Sequence, residues 1–287
     1  MNTAYEFVEL DSALSKEEKR RQILVQGVIA RIPADDLTQS LVAHALSLVS
    51  NYFGQPPRAC AAELSQKDRG KFLSQLTLAK SALAKDEQAR QLVCRIAVRH
   101  LNDAALACYD QPRLRVVPAA VETTDGSRKA VSPSHSCHRD TWYANAQSQI
   151  NFWLPLHDVS PEETFRFYSD YFDKAVANTS SQFNYSQWSK EIGFGNAEKR
   201  ASSFYPTVEG DSPRESEGRS FALNQGDLIV FAAAHLHQTV KHHQSLARFS
   251  IDFRTVQEGD SQQGITAPRQ DNFSRGDACV DYLKMKY

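Results

Sequence analysis

Two short stretches carry residue types that can hold a metal ion. His138-Arg139-Asp140 sets an imidazole and a carboxylate two residues apart, and His235-Leu236-His237 follows nearly a hundred residues later. In extended backbone, residues i and i+2 point to the same side, so His138 and Asp140 can face one ion while Arg139 turns away. Two imidazole nitrogens and one carboxylate oxygen on one face of an iron leave three positions open, the donor set suited to non-haem Fe(II) oxygen chemistry. H-x-D by itself is a weak signal in a chain with nine histidines. His235 and His237 share a strand face, so alternation does not choose between them. The spacing to the next arginine does. Arg248 stands eleven residues beyond His237, room for one hairpin that brings the following strand alongside, whereas Arg254 stands seventeen beyond. His242 and His243 fall in the expected hairpin turn, where side chains usually meet solvent. Cys137, next to His138, has the type of a nucleophile, but its simpler reading is a small apolar neighbour.

The elements that must position these residues divide the chain in two. The first third reads as helix. Leu41, Val42, Ala45, Leu46, Leu48, Val49 and Phe53 recur at steps of three and four, which predicts an amphipathic helix over 37–53 with Asp35 and Asp36 able to cap its start. Helices are also expected over 67–85 and 87–101, and Pro56-Pro57 breaks the pattern after the first. From Arg113 the texture changes to short aromatic and β-branched runs: 113–117, 149–156, 164–168, 219–223, 227–231, 235–240 and 249–256. Gly, Pro, Asn or Asp punctuate them. Many short strands at close spacing suggest an all-β barrel or jelly roll. The polar stretch 175–218 is too long for a turn and reads as an insertion over the barrel mouth. The tail from Gln257 is polar, with a short helix expected near 278–286.

Composition sets broad limits. At 287 residues, 41% hydrophobic and 23% charged, the chain has the make-up of a globular protein with one large core. A net charge of −1 offers no basic surplus for nucleic acid or an anionic membrane. No run of 18 apolar residues suggests a membrane span, and the N-terminal residues lack the pattern of a secretory signal. Five scattered cysteines without a C-x-x-C pair argue against a disulfide framework or a structural zinc site and point to reduced thiols in the cytosol.

Four stretches in order carry a family likeness: Ser136-Cys-His-Arg-Asp-Thr-Trp142, Gln149-Ile-Asn-Phe-Trp-Leu-Pro-Leu156, Phe167-Tyr-Ser-Asp-Tyr171 and Gly226-Asp-Leu-Ile-Val-Phe-Ala-Ala-Ala-His-Leu-His-Gln-Thr-Val240. Arg248-Phe-Ser-Ile-Asp-Phe-Arg254 continues the pattern. As a set they resemble the Fe(II)/2-oxoglutarate-dependent dioxygenases, within them the phytanoyl-CoA-hydroxylase-like group with its small-molecule biosynthetic members. The likeness covers residues 113–256; the helical first third has no matching motif. It implies an all-β core with helical additions, a cupin-like double-stranded β-helix flanked by N-terminal helices. The expected organisation is a single domain over 1–287: a mainly helical region over 1–112, a jelly-roll core over 113–256 with the insertion 175–218 as a lid, and a tail over 257–287.

Carried over by position, the resemblance makes His138, Asp140 and His237 the Fe(II) ligands. It makes Arg248 the partner of the distal 2-oxoglutarate carboxylate, a charge-assisted fork-to-fork contact. Thr239, on the strand face of His237, can add a hydroxyl to the same carboxylate. Gln149 and Asn151 share a face and either contact the cosubstrate, orient a ligand or simply line the barrel. Trp142 and Trp153 either wall the pocket or pack the core. Arg254 either binds a substrate carboxylate or pairs with an acid. Related iron halogenases replace the ligand carboxylate by a small residue, so Asp140 favours hydroxylation or another oxidation. The implied cofactors are Fe(II), 2-oxoglutarate and O2. The expected substrate is a small polar metabolite, an amino acid derivative or secondary-metabolite intermediate, with fatty acyl-CoA as the family's other option. Two further readings are a cupin-like metal enzyme without 2-oxoglutarate, which Arg248 opposes, and a silent binding module. The second would bury three unpaired polar ligands.

Overall fold

In a computed structural model, residues 5–122, 128–129, 137–193, 204–211 and 213–285 are described. The amino-terminal region alternates strands and helices: β1 (Val8–Glu9), α1 (Lys16–Leu24), β2 (Ala30–Ile32), α2 (Asp36–Phe53), α3 (Pro57–Lys67), α4 (Arg69–Lys85) and α5 (Glu87–His100). Strands β3 (Ala107–Tyr109), β4 (Arg113–Val117), β5 (Val121–Glu122), β6 (Arg128–Lys129), β7 (Gln149–Pro155) and β8 (Phe165–Phe167) follow. Helix α6 (Tyr185–Glu191), then β9 (Leu228–Ala232), β10 (His237–Thr239), β11 (Arg248–Gln257) and β12 (Leu283–Lys284), complete the chain. No described helix is long and apolar enough to cross a membrane.

Two sheets face each other. The larger runs β1-β2-β9-β7-β11-β3-β12, with β4 also paired to β11. The smaller is built on the antiparallel pair β8–β10. Single bridges extend it: His138 to His237 on one side and Phe167 to Arg219 on the other, with Val159 to Leu223 beside them. Trp153, Ile229 and Phe231 of the large sheet meet Phe165, Phe167, Phe221 and Leu223 of the small one in a shared apolar layer. Strands that pass in turn between two facing sheets make a jelly roll, the double-stranded β-helix expected from the family likeness.

Period-two alternation explains how the strands serve two layers. In β11, Phe249, Ile251 and Phe253 join the core beneath the helices, while Arg248, Ser250, Asp252 and Arg254 take the other face, toward the barrel interior. In β7, Ile150, Phe152 and Leu154 pack under the helices and Trp153 enters the inter-sheet layer. Both faces are covered, so all seven β7 residues are buried. Phe152 and Phe253 are cross-strand partners whose rings stack at 4.5 Å.

The helical cover follows from its caps and spacing. The Asp35 side chain accepts from Leu37 and Thr38 N–H groups and so caps α2, with Asp36 as its first residue. Leu37, Leu41, Val42, Ala45, Val49 and Phe53 form the buried stripe of α2. Pro56-Pro57 ends the α2 pattern as expected, but Pro57 also opens α3, where a missing N–H costs nothing. Asp68 then caps α4, which shortens the helix expected over 67–85.

The amino-terminal region is more than helix: β2 pairs with β9 inside the large sheet, and β3 pairs with β11. The expected strand 219–223 is reduced to bridges at its two ends. The tail is not a loose polar segment. Ile265 and Ala267 lie in the core, and the helix expected near 278–286 is one 3-10 turn, Ala278–Asp281, followed by β12 against β3. In the insertion, Phe183, Tyr185 and Trp188 pack against Ala144 and Ala278. Residues 194–203 and 212 of the expected lid lie outside the described residues.

Candidate metal centre

The two histidines are set side by side by their own backbones. His138 N–H donates to the His237 carbonyl, and His237 N–H to the His138 carbonyl, both at 3.0 Å. Their ring centroids are 4.4 Å apart. Asp140 is not on a strand, as alternation along a strand would have it. It is the first residue of a 3-10 turn, Asp140–Tyr143. Arg139, with φ −107° and ψ 142°, supplies the one extended residue that turns His138 and Asp140 to a common side. The Asn145 amide donates to the Asp140 carbonyl at 2.8 Å and steadies the turn. One ligand atom from each of His138, Asp140 and His237 lies within 4.8 Å of the other two. His138 Nε2 is 3.5 Å from Asp140 Oδ1.

Protonation suits a metal. The Nδ1–H of His237 faces the His235 carbonyl at 2.9 Å, which leaves Nε2 with its lone pair. Burial, with His138 adjacent, pushes the His237 imidazole down to about 4, so it is neutral near pH 7. Burial alone would raise the Asp140 carboxyl. The Arg254 charge and the His138 hydrogen bond outweigh it and hold the carboxyl well below its usual range. A neutral imidazole beside a carboxylate is the form in which both bind Fe(II).

His235 does not belong to this group. The chain turns at 233–235, so His235 and His237 do not share a strand face. The His235 ring sits between the carbonyls of Ala232 and Gly27, at 3.1 and 3.0 Å. His242 also departs from expectation: it is buried, with Nε2 on the Leu246 carbonyl at 2.8 Å, while His243 is exposed. Arg139 turns away from the ligands to Asp271 and the carbonyls of Ala234, Tyr171 and Lys174. Burial raises the Cys137 thiol to about 12, which leaves it protonated and unsuited to attack.

Arg248 opens β11 and is buried. Nη1 donates to the Glu163 carbonyl at 3.1 Å, and the guanidinium carbon lies 5.7 Å from the centre of the Trp153 ring. Its Nε has no hydrogen-bond partner; neither has Ser250 Oγ, two residues on along the same strand face. Burial, with Arg115 near, lowers the Arg248 guanidinium to about 10, still charged at neutral pH. A buried cation with an idle N–H and, two residues on, an idle buried hydroxyl have the chemistry to accept an anion. Thr239 is half-buried on β10, two residues from His237.

Gln149 and Asn151 point to Asp140: Gln149 Nε2 donates to Asn151 Oδ1, and Asn151 Nδ2 to Asp140 Oδ2, both at 2.7 Å. Arg254 Nη2 is 3.7 Å from the same Oδ2, and Nη1 is 3.9 Å from Asp110, so it pairs with acids. Trp142 is not placed to touch a substrate: it has no exposed surface, and Nε1 donates to Asp271 at 2.8 Å. Three contributors were missed from sequence. Ser250 had a usable signal in its i+2 position from Arg248. Asn145 and Tyr282, whose hydroxyl donates to Gln149 Oε1 at 2.6 Å, had none. A cleft of about 710 Å³ lies behind the turn, bordered by Asn145, Gln147, Thr266, Arg269 and Asp277, and includes none of the three ligands.

Neither a family model nor a curated protein matches the chain. Among solved structures, the non-heme monooxygenase ThoJ in its apo form is similar at 15% identity and a TM-score of 0.49, covering 85% of this chain and 77% of that one. EvdO2 from Micromonospora carbonacea var. aurantiaca, complexed with 2-oxoglutarate, is similar at 9% identity and a TM-score of 0.45, with 90% and 94% covered. The epimerase SnoN, in complex with Fe3+, alpha ketoglutarate and nogalamycin RO, stands at 12% and 0.45, with 93% and 97% covered. Likeness at this level describes overall shape at most, and the chemistry of this chain is read from its own side chains.

Proposed function

We propose that this protein is an Fe(II)- and 2-oxoglutarate-dependent oxygenase that oxidises a C–H bond of a small polar metabolite. The observation that carries the reading is the pairing of two features in one barrel. His138, Asp140 and His237 offer a facial set of two nitrogens and one oxygen. Arg248 and Ser250 offer buried, idle polar atoms fit for a carboxylate. When bound, Fe(II) and 2-oxoglutarate supply O2 activation coupled to oxidative decarboxylation, which yields succinate and CO2 as the substrate is oxidised.

The chain's own residues have separable tasks. His138, Asp140 and His237 would hold the ion. Arg248 would fix the far carboxylate of the cosubstrate, with Ser250 and Thr239 as candidate hydroxyl donors and Trp153 packed against the guanidinium. Asn151 and Gln149 orient Asp140. The apolar layer of Phe165, Phe167, Phe221 and Phe231 behind His237 keeps water from that side. The barrel interior also supports the substrate class. Asp252 pairs with Arg115, and Asp110 with Arg113 at 2.6 Å, so a fatty acyl chain would meet charge rather than an apolar wall. An amino acid derivative suits such walls better. Five unpaired cysteines support a reducing, cytosolic setting.

The test is succinate release from 2-oxoglutarate with Fe(II), screened against metabolites. Wild type should turn over, and His138→Ala should not. In Arg248→Met the 2-oxoglutarate KM should rise about 10- to 100-fold, since a hydrogen bond to a charged group contributes about 1.5–3 kcal/mol. Fe(II)-dependent turnover that survives His138→Ala would overturn the proposal.

A further inference from the structure

The hydrogen bonds behind Asp140 do not stop at the barrel wall. They continue to the phenol of Tyr282, 142 residues further along the chain. We propose that Tyr282, carried by the C-terminal segment, is a positioning residue for the metal ligand Asp140, acting through Gln149 and Asn151. This rests on the metal-site reading given above.

The direction of the relay is dictated by its end. An ionised carboxylate only accepts, so the Asn151 nitrogen must face Asp140 Oδ2 and its oxygen must face back. The Gln149 nitrogen must then meet that oxygen, which leaves Gln149 Oε1 to accept from the Tyr282 hydroxyl. The three contacts measure 2.6, 2.7 and 2.7 Å from phenol to carboxylate. Gln149 and Asn151 are 0% and 4% exposed, so water does not readily replace a lost member. If the phenol is removed, Gln149 Oε1 has no donor, and the amide is free to turn and release Asn151.

The segment that carries Tyr282 is held on both sides. Ala278 N–H donates to the Ala144 carbonyl at 2.9 Å, just past the turn that bears Asp140. Leu283 and Lys284 pair with Tyr109 and Cys108. The carboxylate is thereby given two unlike oxygens. Oδ2 is tied to Asn151 and drawn by Arg254, while Oδ1 lies toward His138. A carboxylate free to rotate could offer both oxygens to the ion and fill a position that a chelating cosubstrate needs.

Co(II) bound to the metal-free full-length protein is the probe, read by its dissociation constant and its visible absorption band. Asn151→Ala should weaken Co(II) about 10- to 100-fold. Tyr282→Phe, which removes one hydroxyl, should weaken it about 3- to 10-fold and shift the band in the same sense. Its unfolding temperature should fall by no more than a few degrees, the effect of one buried acceptor losing its donor. Adding Tyr282→Phe to Asn151→Ala should change nothing further, because both act through one bond; Asn151→Ser replaces Asn151→Ala if the latter fails to fold. Wild-type affinity and band in Tyr282→Phe, or effects that add in the double variant, overturn the role of Tyr282. Co(II) binding that is unchanged by His138→Ala overturns the metal-site reading and this inference together.

Discussion

At the scale of single residues, burial decides which groups can do chemistry and which must stay neutral. His157, two residues past β7, shows the second case. Its Nδ1–H donates to the Asp158 carbonyl at 2.8 Å, and its Nε2 accepts from Phe249 N–H at 3.2 Å. Burial, helped by Arg58 and Arg248 and opposed by the Asp158 hydrogen bond and Glu163, pushes its pKa down to about 4. Protonation would take away the lone pair that satisfies Phe249. Below about pH 6.5 the unfolded chain binds this proton and the folded chain does not. Its stabilising contribution is therefore fully present above pH 6.5 and is lost as pH falls toward 4. Urea unfolding of the metal-free protein should show stability falling through that window. In His157→Gln, whose amide oxygen can still accept from Phe249, the slope should shrink by up to about 1.4 kcal/mol per pH unit, one proton's worth. Parallel slopes for the two proteins would show that His157 takes no part.

At the scale of elements, the small sheet is what makes His237 a ligand. β10 is three residues long and is held on one side by β8 and on the other by the single bridge to His138. Phe167, opposite His237 in the register and fully buried, lies 5.0 Å from the rings of both Phe165 and Phe231 and 6.4 Å from that of His237. Phe167→Ala should cost about 3–5 kcal/mol and weaken Co(II) binding, while Phe167→Leu should retain most of both. A loss of stability with unchanged Co(II) affinity would mean that β8 supports the fold without tuning the site. Elements of this kind differ in how clearly the sequence announces them. Residues 113–117 and 149–156 read as strands because alternation or a dense aromatic run fills them. The three residues of β2 and of β3 hold less than two periods of any pattern, so nothing local marks them. α1 has a capping box, Ser15 with Glu18, but a weak apolar stripe, and α3 hides behind a proline pair that reads as a stop. The H-x-D pair was legible because chemistry fixes residue type there, but the hairpin expected between His237 and Arg248 does not form: β10 pairs with β8, and β11 with β3, β4 and β7. The relay to Tyr282 was not legible, because only sheet pairing between β12 and β3 brings it near.

For the molecule as a whole, the likeness carried by residues 113–256 raises the question of whether that stretch could stand alone. The outward face of the large sheet answers it. Ile150, Phe152, Leu154, Leu228, Val230, Phe249, Ile251 and Phe253 are at most 1% exposed and belong to the core shared with the helices. Phe53 of α2 meets Phe249 at 5.8 Å, while α1 lies against β9 and β7, and α4 against β4. Full burial of one such side chain contributes about 1.5–3 kcal/mol. Uncovering eight would remove on the order of 12–24 kcal/mol, as much as or more than the 5–15 kcal/mol that holds a typical domain folded. Loss of β2 would also leave β9 with an unpaired edge. Residues 113–256 produced alone should therefore bind the dye ANS, show no sigmoidal urea transition and fail to hold Co(II), whereas the full chain should unfold cooperatively. A sharp two-state transition in the excised segment would show that the helical region is an accessory rather than half of the core that holds the ligands in place.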